Sequence, residues 1–214
     1  GATTGTATVA APGDDAYIDA STVTAAITAV SGGTTFESLA FSTAVASTSV
    51  TDDTDVTTVS LAATGSVTEA GSITYTASLT NSATHAVTVT LSGGTTIVIA
   101  SGATTGTATV AAPGDDAYID ASTVTAAITA VSGGTTFESL AFSTAVASTS
   151  VTDDVDVTTV SISGTGSVGE GGTGNYVVSV DQAVQGSALT VTLFPSVGWR
   201  FLPMSARPCL FENA

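Results

Sequence analysis

Apolar and polar residues alternate along short segments of the chain, and turn residues separate these segments. In residues 72–80, the apolar positions between Ser and Thr are Ile73, Tyr75, Ala77 and Leu79. A period of two is the pattern of a strand with one buried face, and the abundant Val and Thr favour this pleated conformation. Seven strands are predicted in one stretch and are named here A at 57–63, B at 72–80, C at 86–91, D at 95–100, E at 104–111, F at 122–131 and G at 141–152.

The turns between these strands carry Gly-Ser, Asn-Ser, Gly-Gly, Ser-Gly and Pro-Gly-Asp-Asp. Seven short strands within about 100 residues are typical of an immunoglobulin-like sandwich. No apolar stripe of period 3.6 is present, which argues against a helical fold. The predicted fold class is therefore all-β, an immunoglobulin-like β-sandwich. Tyr118, directly before strand F, is expected to make a hydrogen bond of the tyrosine-corner type.

A long internal repeat organises the chain. Residues 1–53 recur without change at 102–154, a period of 101 residues, and residues 55–79 are similar to 156–180. We therefore predict tandem repeats rather than two unrelated domains. The predicted parts are the C-terminal half of one repeat at 1–54, a complete repeat at 55–155, the N-terminal half of a third repeat at 156–193 and an aberrant tail at 194–214.

The tail differs from the repeats in composition. It contains the only Trp, Cys and Met of the chain, both Arg and three of the five Pro. We interpret it as a frameshifted end, a cloning remnant or a misassembled sequence end. The alternative is a genuine short C-terminal cap, because terminal repeats are often atypical.

The charge of the chain excludes several classes of partner. The net charge is -16, from 18 acidic and 2 basic residues, and residues 1–193 contain neither Lys nor Arg. Nucleic acid and anionic lipid are excluded as partners because both are bound through Lys and Arg. The sequence contains no run of 18 apolar residues, so membrane insertion is not predicted. The single His, His85, permits no Ser–His–Asp set, so the chain is not predicted to be an enzyme.

The order of the strands predicts where the carboxylates lie. If successive strands reverse direction, the A–B, C–D and E–F loops and the exit after G share one end of the sandwich. Only Glu138 and Asp55 would lie at the opposite end. The shared end collects Glu69, Asp115, Asp116, Asp120, Asp153, Asp154 and Asp156, and the equivalent set at the preceding junction is Asp14, Asp15, Asp19, Asp52, Asp53 and Asp55.

Such converging carboxylates repel one another, because their separation is within about one Debye length, roughly 10 Å at 0.1 M salt. No Lys or Arg in the repeats neutralises them. Calcium prefers six to eight oxygen ligands from flexible loops, so we predict structural Ca²⁺ bound by these thirteen residues at the junctions. The alternative is that each Asp serves ordinary turn chemistry and solubility.

Several motifs follow one another along the repeat: Asp-x-Asp-Val-Thr-Thr-Val-Ser, Gly-Ser-Val-Thr-Glu-Ala-Gly, Ile-Thr-Tyr-Thr-Ala-Ser-Leu-Thr, Pro-Gly-Asp-Asp-Ala-Tyr-Ile-Asp and Gly-Gly-Thr-Thr-Phe-Glu-Ser-Leu. In these motifs, residues 1–193 resemble the extender repeats of giant biofilm adhesins of the large-adhesion-protein type. Those are repeats-in-toxin adhesins, exported by type I secretion in Gram-negative bacteria. The resemblance implies an extracellular, cell-surface stalk made rigid by calcium, with ligands at Glu69, 115–120 and 153–156.

Two other functions stay open at this point. The half repeats at the two ends of the sequence would be complementary, so chains could form a filament by strand complementation. Thr-rich strands such as Thr-Gly-Thr-Ala-Thr-Val could instead bind glycan or ice through a flat face. In the stalk interpretation, the partners are the neighbouring repeats of the same chain.

Overall fold

The computed structural model describes residues 1–194 and 207–211, which contain sixteen strands and no helix. The alternation of β-branched and small polar residues accounts for this, since both residue types fit a half-buried pleated surface. The strands are β1 Ser21–Ala26, β2 Val45–Val50, β3 Val56–Ala63, β4 Ser66–Thr68, β5 Ser72–Leu79, β6 Val87–Leu91, β7 Thr96–Ile99, β8 Thr105–Ala111, β9 Ser122–Ala126, β10 Ile128–Gly133, β11 Ser139–Phe142, β12 Ala147–Thr152, β13 Val160–Gly164, β14 Tyr176–Val180, β15 Leu189–Leu193 and β16 Arg207–Phe211.

Strands β3 to β12 form a β-sandwich, which confirms the predicted fold class. One layer is the four-stranded sheet β11-β3-β5-β8. The other layer contains the groups β10-β6-β7 and β4-β12-β9, which are continuous through the chain because only Ala127 separates β9 from β10. Strand β7 pairs with β6 and not with β8, so the predicted strand D belongs to the sheet of strand C.

The core of this sandwich follows the alternation in the sequence. Every second residue of β5 is buried, beginning with Ile73, and β6 buries Val87, Val89 and Leu91. These side chains join Val59, Ile97, Ile99, Ile128 and Phe137 in one apolar cluster. Full burial of each aliphatic side chain stabilises the fold by about 1.5–3 kcal/mol, so this cluster is the main source of stability in the complete repeat.

Predicted strands F and G are each divided in two. Strand F becomes β9 and β10, with a register shift between Ile128 and Ala130, and strand G becomes β11 and β12. Strand β9 pairs with β12, whereas β10 pairs with β6; likewise β11 lies parallel to β3, whereas β12 lies parallel to β4. A strand that changes partners must bend, and an irregularity at that point allows it.

The described contacts divide the chain into two units, Gly1–Pro113 with Ala121–Thr152 and Gly114–Asp120 with Asp153–Ala214. The first unit contains the sandwich and also the pair β1-β2. The second unit contains the pairs β13-β14 and β15-β16. Equivalent pairs keep equivalent registers, since Ala25 faces Ala46 as Ala126 faces Ala147.

Part of the predicted aberrant tail forms a strand. Residues 207–211 form β16, antiparallel to β15, which corresponds in sequence to β6. In the complete repeat β7 takes this place beside β6. The rest of the tail after residue 194, at 195–206 and 212–214, lies outside the described residues. The four-part division of the chain stays a prediction.

Candidate metal-binding clusters

The two Pro-Gly-Asp-Asp loops are shaped by their second aspartate. Asp15 Oδ1 accepts a hydrogen bond from the Tyr17 amide at 2.8 Å, and Asp116 Oδ1 accepts one from the Tyr118 amide at 2.7 Å. A carboxylate bonded to the amide two residues on forms an Asx turn, which Asp favours in loops. Asp15 and Asp116 therefore have a local structural role, in addition to any role as ligands.

Six aspartates of the first unit form the first acidic cluster: Asp14, Asp15, Asp19, Asp52, Asp53 and Asp55. The Pro-Gly-Asp-Asp loop supplies three of them and the linker between β2 and β3 supplies the others. A side-chain hydrogen bond with Asp53 raises the pKa of Asp14, and the charges of Asp53 and Asp55 raise it further. Two carboxyl groups in hydrogen-bond contact favour one shared proton, because two like charges at that distance repel.

A second contact within this cluster joins the end of the loop to the linker. The Asp19 amide donates to Asp52 Oδ2 at 3.3 Å. The charge of Asp15 raises the pKa of Asp19, and partial desolvation and Asp52 contribute in the same direction. The loop and the linker are thus in contact at two places, Asp14 with Asp53 and Asp19 with Asp52.

Glu138 also belongs to this cluster, although it is not among the thirteen predicted ligands. It lies in the turn between β10 and β11, and its Oε2 accepts a short hydrogen bond from the Asp55 amide. This amide lowers the pKa of Glu138, but burial and a side-chain hydrogen bond with Asp52 outweigh it, so the pKa is raised. The prediction that Glu138 and Asp55 share one end of the repeat contained the signal for this contact.

The second acidic cluster lies in the second unit and comprises Asp115, Asp116, Asp120, Asp153, Asp154 and Asp156. Carboxylate oxygens of Asp115 and Asp154 lie within 4.8 Å of each other, and so do those of Asp120 and Asp153. A side-chain hydrogen bond with Asp154 raises the pKa of Asp115, and the charges of Asp154 and Asp156 add to this. The Asp115–Asp154 pair repeats the Asp14–Asp53 pair one period later.

Glu69, the remaining predicted ligand, lies in the first unit, in the turn between β4 and β5. Its side chain is buried, with 6 % of its surface exposed. Its amide donates to the Thr152 carbonyl at 3.1 Å, and the next amide, of Ala70, donates to the Pro113 carbonyl at 2.7 Å. The turn is thus bonded to the residues that precede Asp153 and Gly114 in the sequence, and the role of Glu69 as a ligand stays a prediction.

The predicted tyrosine corner is wrong. The Tyr118 hydroxyl donates to the Ala183 carbonyl at 2.8 Å, 65 residues further along the chain, and not to the backbone a few residues upstream. Tyr17 makes the equivalent bond to the Ser82 carbonyl at 2.7 Å, also over 65 residues. Tyr17 therefore contacts the turn that follows β5, and Tyr118 contacts the equivalent turn that follows β14.

Chemically, both clusters offer hard oxygen donors without a cationic side chain to neutralise them. The only Arg or Lys residues are Arg200 and Arg207, outside the repeats. Paired carboxyl groups are better satisfied by a divalent cation, which binds oxygens of both groups. Among the described residues, carboxylate groups that include Asp115 with Asp154, and Asp120 with Asp153, lie close enough together to hold a metal ion.

Among the described residues, no helix has the length and apolar character needed to cross a membrane.

In comparisons with known proteins, the family model of the LapA domain matches residues 1–54 and again residues 55–154. No match was found among curated proteins or among solved structures. The two matched segments meet between Thr54 and Asp55, inside the linker of the first acidic cluster.

Proposed function

Because the chain belongs to the LapA domain family, we propose that it is a spacer segment of a secreted bacterial surface adhesin, made rigid by calcium at the junctions between repeats. The family is that of large adhesion proteins and gives the chain an adhesin-related role. The stalk, the calcium and the extracellular location are the finer parts of the proposal. So are export by type I secretion from a Gram-negative cell and the absence of an enzymatic activity.

The recurrence of one carboxyl pair supports the calcium proposal most directly. Asp14 pairs with Asp53, and Asp115 pairs with Asp154, one period later. Each pair joins a Pro-Gly-Asp-Asp loop to a linker between repeats. A cation bound there would connect two segments far apart in sequence, and so restrict the junction.

Calcium fits the donors better than other common metals. Every candidate ligand is a carboxylate, and Cys and His, which zinc and copper prefer, are absent from both clusters. Loops of variable shape suit the flexible coordination of Ca²⁺, whereas Mg²⁺ requires near-ideal octahedral geometry. Millimolar free calcium outside cells would be sufficient for sites of moderate affinity.

Titration of calcium into the chelated chain, followed by thermal unfolding, tests the proposal. A ligand at about 100 times its Kd stabilises the folded state by about 2.7 kcal/mol, so the melting temperature is expected to rise by several degrees. Magnesium at the same concentration is expected to have a smaller effect. An unchanged melting temperature at millimolar calcium contradicts the metal proposal.

A matched pair of variants locates the effect in the first acidic cluster. Glu138→Gln removes a carboxylate beside Asp52 and Asp55 and is expected to reduce the gain from calcium. Glu37→Gln changes the equivalent residue of the first copy, which is exposed and outside both clusters. Equal calcium responses of the two variants would show that Glu138 does not contribute to calcium binding.

A filament formed by strand complementation is the second candidate. Phe36 is 66 % exposed, whereas its equivalent Phe137 in the complete sandwich is 5 % exposed. In the second unit, Tyr176 and Val177 are also mostly exposed. Residues 156–193 of another copy could cover the exposed apolar surface that includes Phe36. The molecular size of the chain, measured in solution at two protein concentrations, tests this candidate. A monomer at both concentrations excludes the filament.

A further inference from the structure

We propose that each repeat carries a tyrosine loop at one end and a socket at the other, and that consecutive repeats dock through them without a bound cation. In the first unit the tyrosine loop is Ala16–Ile18. The socket is formed by Ser82 and the turn residues Thr136, Phe137 and Glu138 of the complete repeat. The proposal goes beyond calcium binding, since it assigns part of the rigidity of the junction to uncharged contacts.

The backbone of the tyrosine loop pairs with the socket on both sides of the tyrosine. Tyr17 and Phe137 form an isolated antiparallel bridge. The Ile18 amide donates to the Thr136 carbonyl at 2.9 Å, and the Glu138 amide donates to the Ala16 carbonyl at 3.3 Å. The loop thus adds a short strand segment to the turn of the next repeat, a common mode of peptide recognition.

The Tyr17 side chain completes the docking. Its ring stacks on Phe137 with centroids 5.5 Å apart and an interplanar angle of 22°. Its hydroxyl donates to the Ser82 carbonyl at 2.7 Å. The apolar ring and the polar tip are therefore both satisfied, as expected for a tyrosine that acts as an anchor in an interface.

The socket is continuous with the core of the complete repeat. Phe137 is 5 % exposed and belongs to the main apolar cluster, and Tyr17 packs against that cluster. Ala16 is 7 % exposed and is the one buried apolar residue recorded in residues 1–54. Movement of the loop would therefore expose apolar surface of the next repeat, which opposes rotation at the junction.

The same hydroxyl contact recurs one period later, in the second unit. Tyr118 donates to the Ala183 carbonyl, and Ala183 occupies the position of Ser82. The acceptor is a main-chain carbonyl in both cases, so the contact tolerates the change from Ser to Ala. Ala117 is less buried than Ala16.

Amide hydrogen exchange, followed by NMR in the presence of a chelator, tests the docking directly. The chain is its own control, because Ile18 and Ile119 have identical neighbours and thus equal intrinsic exchange rates, as do Glu138 and Glu37. Ile18 is expected to exchange at least about tenfold more slowly than Ile119, and Glu138 more slowly than Glu37. Equal rates within each pair overturn the proposal.

Two substitutions separate the contributions of the ring and the hydroxyl. Tyr17→Ala removes both and is expected to accelerate exchange at Ile18 and Glu138 by about tenfold or more. Tyr17→Phe keeps the stacked ring and is expected to accelerate it by only about threefold to tenfold, which also gives a result if the Ala variant is poorly folded. Tyr118→Ala, in the same local sequence, should leave both amides unchanged. No acceleration in either Tyr17 variant contradicts the proposal.

A second measurement of amide hydrogen exchange, now in the presence of calcium, distinguishes this proposal from the calcium proposal. Protection of Ile18 that exists with chelator and changes little on calcium addition supports docking, whatever the melting temperature does. Protection that appears only with calcium overturns metal-free docking while leaving the calcium site intact. The tyrosine contacts are uncharged, so raising the salt concentration should not weaken them.

Discussion

Residues 1–53 and 102–154 have the same sequence and different structures. Both copies form the hairpin of strands F and G, as β1-β2 in the first copy and β9-β12 in the second, with equivalent registers. Only the second copy forms β8, β10 and β11. Ile27 is 51 % exposed in the first copy, and its equivalent Ile128 is 4 % exposed in the second.

The difference shows which strands depend on distant partners. Strands β8, β10 and β11 pair with β5, β6 and β3, which belong to residues 56–91. The β1-β2 hairpin needs no such partner. Strand propensity alone is therefore insufficient for the segments that form β8, β10 and β11, and pairing across the sheet decides their conformation.

The largest test of this comparison removes the same side chain from each copy. Ile128→Ala is expected to destabilise the complete repeat by about 2–5 kcal/mol, because it leaves a cavity in a packed core. Ile27→Ala, at an exposed position, is expected to change stability by less than about 0.5 kcal/mol. Urea unfolding of the two variants measures both values. Similar losses would show that the first copy is packed as well as the second.

A smaller effect is expected from adding one methyl group at equivalent glycines. A Cβ on Gly106 would lie 2.4 Å from the Val98 carbonyl oxygen, whereas a Cβ on Gly5 would have no neighbour within 4 Å. Gly106→Ala is expected to cost about 1–3 kcal/mol, since β8 must move away from β7. Gly5→Ala should be close to neutral. Thermal unfolding distinguishes them, and a neutral Gly106→Ala would contradict the close approach of these strands.

The smallest effect concerns a property that the two copies share. The raised pKa values of Asp14 and Asp115 mean that the folded state binds protons more tightly than the unfolded state. The stability of the metal-free chain is therefore expected to be greatest at low pH. It should decrease as the pH rises from the ordinary carboxyl value of about 4 through the raised values.

Asp14→Asn and Asp115→Asn should each flatten this pH dependence, because each removes one member of a repelling pair. With calcium present the order should reverse at neutral pH, since the same substitutions remove a ligand. Melting temperatures with chelator and with calcium, at several pH values, test both expectations. A metal-free stability that rises with pH would contradict the carboxyl pairs.

The sequence predicted the simple strands well. The bounds of A to E differ from β3, β5, β6, β7 and β8 by one residue or none at either end, because uninterrupted alternation marks them. It did not predict the breaks at Ala127 and at residues 143–146, or the short strand β4. Those features follow from a change of pairing partner, which no local pattern records. The Tyr118 contact was assigned to the wrong repeat for the same reason.

The candidate site was predictable in part. An up-and-down path through the strands was enough to bring the loop aspartates near the linker aspartates. Glu138 was not predicted as a member because it does not lie in the loops at the shared end of one repeat, whereas the first cluster also contains a turn of the next repeat. The raised pKa of Asp14 depends on its distance to Asp53, and spacing in the sequence does not provide distances.

The parallel pairing at the edges of the sandwich has a mechanical consequence. Strand β11 lies parallel to β3, and β12 lies parallel to β4, so the first and last strands of the complete repeat run in the same direction. Tension applied at Val56 and Thr152 pulls these strands past each other in shear, and their hydrogen bonds carry the load together. A repeat built in this way is expected to resist stretching before it unravels.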